Sequence, residues 1–143
     1  MPVRQDEWDN RHFWRVSNAE HLAMSEDCGI VNLSHFSMYD VEGPDHVALL
    51  EWLCAAKIGG DANIGKGIYT HFLDDEGMVR ADFTVIRMAD RCRLIDGADA
   101  GPRDFHYMRR VAEDKGFDVT ITDVTERYVT IGIWGPNART NLQ

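Results

Sequence analysis

The sequence predicts an α+β fold built on a mainly antiparallel sheet with flanking helices. Three observations carry that prediction. Two strand-like runs, 67–73 and 78–86, flank the acidic, glycine-ended turn Asp74-Asp75-Glu76-Gly77, as in a hairpin. A Gly-Pro pair stands ahead of a helical pattern in three places, at Gly43-Pro44, Gly101-Pro102 and Gly135-Pro136. The strands come in hairpins interrupted by separate helices, a pattern that belongs to α+β proteins.

The elements follow in order. Residues 1–20 read as an irregular arm with Trp8, Phe13 and Trp14 as aromatic anchors. Ser17 or Asn18 is placed to cap a helix running to Cys28, with Gly29 as its stop. Residues 30–33 and 37–42 read as strands. Proline is favoured at the first helical position because its missing N–H would be unpaired there anyway. A helix is therefore expected over 44–56, burying Val47, Leu49, Leu50, Leu53 and Cys54. The glycine-rich segment 59–65 has neither the P-loop order nor a dinucleotide fingerprint, and reads as a loop. After the hairpin come a strand at 91–95 and a helix over 102–115 with Phe105, Met108, Val111 and Ala112 inward and Gly116 closing it. Strands at 119–123 and 128–134 complete the sheet. The first and third Gly-Pro units share a strand, Gly-Pro, helix order, which suggests internal duplication. A last helix from Pro136 has room for roughly two turns, as in a truncated domain or a short terminal helix.

A chain of 143 residues fits one domain, 1–143. The formal net charge of −9 argues against binding nucleic acid or an anionic membrane surface. An anionic small ligand answers instead to local charge. Cys28, Cys54 and Cys92 are widely spaced and lack a C-x-x-C, so neither a disulfide framework nor a zinc site is expected, and a cytoplasmic setting is. The six histidines show no metal-ligand spacing, so no metal site is expected. Cys54 reads as helix packing. Cys92 lies between Arg91 and Arg93, which would lower its pKa, but no histidine stands near it in sequence.

The hairpin holds the candidate site. Side chains alternate across a strand, which puts Ile68, Thr70, Phe72, Val79, Ala81, Phe83 and Val85 on a core face. Tyr69, His71, Arg80, Asp82 and Thr84 fall on the other. A loop of two or four residues pairs Leu73 with Met78, His71 with Arg80 and Tyr69 with Asp82. Phenol and carboxylate would then stand about 5 Å apart at Cβ and wall a cavity. An aromatic platform beside an acceptor suits a flat heterocycle bearing N–H groups; an ordinary solvated sheet face has the same pattern.

Five ordered blocks carry a resemblance: Gly29-Ile-Val-Asn-Leu-Ser-His35, Tyr39-Asp-Val-Glu-Gly-Pro-Asp45, Ile68-Tyr-Thr-His-Phe-Leu-Asp-Asp-Glu-Gly77, Arg80-Ala-Asp-Phe-Thr-Val85 and Gly132-Ile-Trp-Gly-Pro-Asn-Ala-Arg139. Together they resemble the N-terminal part of the aminomethyltransferase family, the folate-binding T-protein of the glycine cleavage system. The wording of the last two leans toward the folate domains of dimethylglycine and sarcosine dehydrogenases. The resemblance implies tetrahydrofolate as cofactor, with Asp82 contacting its pterin-side nitrogens and assisting one-carbon transfer, and Tyr69 lining the same pocket. His71 and Arg80 join as binding candidates from register alone. Asn32 stands where the family commonly has Asp, Met78 replaces the second glycine of the turn, and Ile86 replaces a pocket tyrosine of some members. Family members also continue beyond the Gly135-Pro136 block. The expected partners are folate and a small amine substrate, with a flavin dehydrogenase domain or a missing C-terminal half in another chain, and a homo-oligomer. The alternatives are a non-catalytic folate-binding accessory protein and a truncated member acting through self-association.

Overall fold

A computed structural model describes residues 13–97 and 100–143. They fall into two compact units. The first unit comprises Met1–Leu33 with Ile131–Gln143, the second Ser34–Thr130. All residues buried among those described lie in the second. Among the described residues no helix is long and apolar enough to cross a membrane.

The second unit is a five-stranded antiparallel sheet carrying two α-helices. Its strands are β2 (Ser37–Glu42), β3 (Gly67–Leu73), β4 (Val79–Arg87), β5 (Arg91–Asp96) and β6 (Thr120–Asp123), in the order β3-β4-β5-β2-β6. Helices α2 (His46–Leu53) and α3 (Gly101–Lys115) supply the rest of the core, in which Leu49, Leu50 and Met108 pack with Tyr39, Leu94 and the Phe72–Phe83 pair. Helix α2 is shorter than the predicted 44–56. It starts after Asp45, and at Cys54 the chain is already extended and bridges to Phe72. Helix α3 runs as predicted, and Gly116 closes it in the left-handed conformation, φ 72°. Gly101 is buried because the chain passes close to β2 there: a Cβ would run into Ser37 Oγ and Tyr39 Oη.

In the first unit, α1 (Trp14–Glu26) is followed by β1 (Gly29–Asn32), which pairs antiparallel with β7 (Ile131–Trp134) ahead of the four-residue α4 (Ala138–Asn141). The irregular arm expected over 1–20 is helical from Trp14, and neither Ser17 nor Asn18 caps it. Trp8 and the rest of 1–12 lie outside the described residues.

The suggested duplication has a local structural counterpart. Gly43 and Gly135 have φ of 113° and 116°. The residue two after each glycine donates its backbone N–H to the carbonyl of an aspartate that follows a helix: Asp45 to Asp118 at 3.3 Å, Asn137 to Asp27 at 3.0 Å. Each also makes a side-chain bond to that aspartate, Asp118 N–H to Asp45 Oδ2 and Asn137 Nδ2 to Asp27 Oδ1, both 2.8 Å. The strand after each aspartate pairs antiparallel with the strand before each glycine. The Gly101-Pro102 instance lacks this corner, since Gly101 itself opens α3.

The hairpin register differs from the prediction. Tyr69 pairs with Thr84 and His71 with Asp82, two positions along from the predicted partners. The loop holds five residues, from Asp74 to Met78. Asp74 organises it, with Oδ1 accepting from the Glu76 and Met78 amides at 3.0 and 2.9 Å, and Gly77 takes φ 79°. An odd loop would put the two strands out of phase. One extra residue in β4 restores the phase: Phe72 pairs with Ala81 and Leu73 with Val79, leaving Arg80 as a β-bulge. The predicted faces therefore survive above the bulge while the partners slide. Val79, below it, is 63% exposed and not in the core.

Candidate functional site

Tyr69 and Asp82 do share a face of the β3–β4 hairpin. They meet along the diagonal of the ladder, and Tyr69 Oη donates to Asp82 Oδ2 at 3.0 Å. That bond favours the protonated phenol and raises the Tyr69 pKa. His71, directly opposite Asp82, sets its ring edge-on to Tyr69 at 5.2 Å between centroids. Phenol, imidazole and carboxylate thus form one cluster, with Asp82 Oδ1 uncommitted among the described hydrogen bonds. The cluster lies on an open sheet face and does not wall a closed cavity: Tyr69 is 63% exposed.

Arg80 leaves the cluster. The bulge turns its side chain away, and its guanidinium stacks over Tyr107 of α3 at 4.3 Å. There it meets Arg103, Asp104 and Tyr107, which the sequence reading did not single out. Arg103 donates Nε and Nη2 to Asp104 at 2.8 and 3.0 Å, and Nη2 also to the Arg80 carbonyl at 2.9 Å. Arg110 lies 5.6 Å from the Tyr107 ring. Their signal was available as helical spacing, since 103, 106, 107 and 110 fall on one face of α3.

Strand β5 pairs with β4 only from Phe83 onward, so residues 79–82 of β4 keep an open edge toward the start of α3. A hollow of about 270 Å³ lies along that edge, with Asp82, Arg80, Arg103, Asp96 and Asp104 in its lining. Asp96 and Asp104 are each 2% exposed. Burial, with Asp104 as a like charge, pushes the Asp96 carboxyl up to about 7, and its Oδ2 has no hydrogen-bond partner among the described residues. Larger hollows of about 470 and 410 Å³ lie beside Tyr39 and Thr125 and beside Phe117 and Ile121. Neither includes the Tyr69 cluster, and we place the site by chemistry and not by size.

The remaining polar face is structural. Arg93 clamps Asp40 through two bonds of 2.7 and 2.8 Å, and Tyr128 stacks on it at 4.0 Å. Arg91 bonds Glu42. Both arginines therefore face away from Cys92, which is fully buried, and burial raises its thiol to about 11 despite the nearby Arg87. Cys54 is raised to about 12 by burial. Neither is an activated nucleophile. Among the described residues no cluster of His, Cys, Asp and Glu has the arrangement to hold a metal ion.

The model of the GCVT N-terminal domain family matches residues 1–143. The chain is 32% identical to an aminomethyltransferase of Bordetella pertussis over 136 residues, which cover 94% of this chain and 37% of that protein. It is 29% identical to the mitochondrial dimethylglycine dehydrogenase of Rattus norvegicus, covering 92% of this chain and 15% of that one. Among solved structures, the glycine cleavage system aminomethyltransferase T of Bartonella henselae superposes with a TM-score of 0.75 at 26% identity, covering 87% of this chain and 33% of that one. The chain thus spans about a third of the length of the aminomethyltransferases it matches.

Proposed function

The chain belongs to the GCVT N-terminal domain family, and from that premise we propose that it binds tetrahydrofolate on the Tyr69–Asp82 face and serves one-carbon transfer from a glycine-type N-methyl or aminomethyl donor. The observation that supports this reading is the Tyr69–Asp82 hydrogen bond on an exposed, otherwise polar strand face. The donor set suits a pterin: a phenol ring offers a flat surface, and the free carboxylate oxygen accepts N–H. Tetrahydrofolate would supply the amine that receives the carbon unit. Asp82 would orient that amine by accepting its proton and would stabilise positive charge developing nearby. Tyr69 holds one Asp82 oxygen in place, and His71 stands directly opposite Asp82 beside the Tyr69 ring.

The open face bears on turnover. Group transfer of this kind gains from excluding water, and this face is covered only in part. Further polypeptide is needed to close it, whether a flavin dehydrogenase domain, the remaining portion of an aminomethyltransferase, or a second copy of this chain. A chain that binds folate without turning it over is the second reading, and the exposure of Tyr69 favours it for this polypeptide alone.

Titration with tetrahydrofolate tests the site. Saturable binding is expected, weakened about ten- to hundredfold in Asp82→Ala through loss of a charged hydrogen-bond acceptor. A wild type with no saturable binding would remove both readings. If folate binds, an assay of transfer from dimethylglycine, sarcosine or an aminomethyl-lipoyl carrier separates enzyme from accessory protein.

A further inference from the structure

We propose that Arg80, Arg103 and Arg110, gathered around Tyr107, form a carboxylate-binding site that takes the glutamate tail of the folate whose ring lies on the Tyr69–Asp82 face; this rests on the folate reading above. In a chain of net charge −9, three guanidinium groups and His106 line one hollow of about 240 Å³ with Tyr107 as its aromatic wall. Only Arg103 is neutralised there, by Asp104. Neither Arg80 nor Arg110 has an ion pair among the described residues, so both guanidinium charges are available to an anion. Asp104 is taken up by Arg103, and Glu51, Asp74 and Asp75 border a separate hollow that Tyr107 also lines.

The site is also built in advance. Asp104, almost wholly buried, fixes Arg103 by two parallel bonds, and Arg103 in turn holds the Arg80 carbonyl. Stacking on Tyr107 restrains the Arg80 guanidinium. Less side-chain freedom is then lost when a carboxylate binds, and guanidinium forks match its two oxygens. The hollow along the β4 edge, which includes Asp82, shares Arg80 and Arg103 with this one in its lining. A ligand with an N–H-rich ring at one end and carboxylates at the other fits that layout.

Equilibrium binding at low ionic strength would compare tetrahydropteroate, tetrahydrofolate and its triglutamate on the wild type and on Arg80→Gln/Arg110→Gln. Each exposed charge pair contributes about two- to fivefold, so the triglutamate is expected to bind the wild type about tenfold more tightly than tetrahydropteroate. That ratio should fall toward one in the double variant and at raised salt. Both substituted residues are exposed; far-UV circular dichroism checks the fold, and Arg110→Gln alone replaces the double variant if it is lost. Saturable binding with a flat series in the wild type, or a ratio unchanged in the variant, overturns the tail site while leaving the folate reading standing. No binding of any pteroate overturns both.

Discussion

At the scale of single residues, the chemistry gathers around two carboxylates with opposite surroundings. Asp82 is exposed and accepts a tyrosine hydroxyl on one oxygen, while the other has no hydrogen bond among the described residues and is available to a ligand. Asp96 is buried, has Asp104 from α3 and Asp82 from β4 as like charges, and is partly relieved by the Gly97 amide and Arg103. Its folded pKa of about 7 lies above the ordinary 3.8. The native state therefore keeps a proton that the unfolded chain releases between about pH 4 and 7. Stability should fall as pH rises through that window and level off above it. Replacing Asp96 by Asn should flatten the slope and stabilise the protein at pH 8 by about 1–3 kcal/mol, the cost of a poorly paired buried group; urea midpoints at pH 5 and 8 measure both. Tyr69→Phe, in contrast, deletes a solvent-exposed bond and should change stability by less than about 0.5 kcal/mol. Its effect should show in folate affinity, which calorimetry separates from the melt. Alternation alone was enough to place Tyr69, His71 and Asp82 on one face. The pairing of Asp82 with His71 was not legible, because it depends on a loop length and a bulge that no residue type announces.

At the scale of elements, backbone geometry explains both what was legible and what was not. Gly-Pro predicted a helix starting at its proline, and at Gly43 and Gly135 the structure puts a corner there with a left-handed φ and starts the helix two residues after the proline. Gly43→Ala should destabilise by about 1–3 kcal/mol, since strain adds to a Cβ placed 2.6 Å from the Asp118 carbonyl oxygen. Gly116→Ala at the end of α3 meets nothing within 4 Å and should cost only about 1 kcal/mol. Chemical denaturation of the two variants gives the order directly. The Arg80 bulge is the element-scale event that the hydrophobic pattern concealed. Val79 fits the core alternation, yet the extra residue beside it leaves it in solvent. The same bulge frees Arg80 from the sheet face and delivers it to α3, where Arg103 and Arg110 recur at helical spacing.

At the scale of the whole molecule, burial is uneven. The first unit contains no buried residue among those described, and Ile30, Ile131 and Trp134 on its two strands are exposed. Local stability follows buried apolar contact. Amides of the β1–β7 pair should therefore exchange with solvent well before those of β2, β4 and β5, and hydrogen-exchange mass spectrometry would show it. Equal protection would mean that something covers the first unit in solution. The α+β class, most element positions, the family and the sharing of one hairpin face by Tyr69, His71 and Asp82 all followed from local signals, because period, turn chemistry and motif order are written residue by residue. The division into two units, the diagonal meeting of Tyr69 with Asp82, and the arginine cluster around Tyr107 did not. Each depends on how segments far apart in the chain come to rest against one another, and the energy that selects such contacts is shared among many side chains.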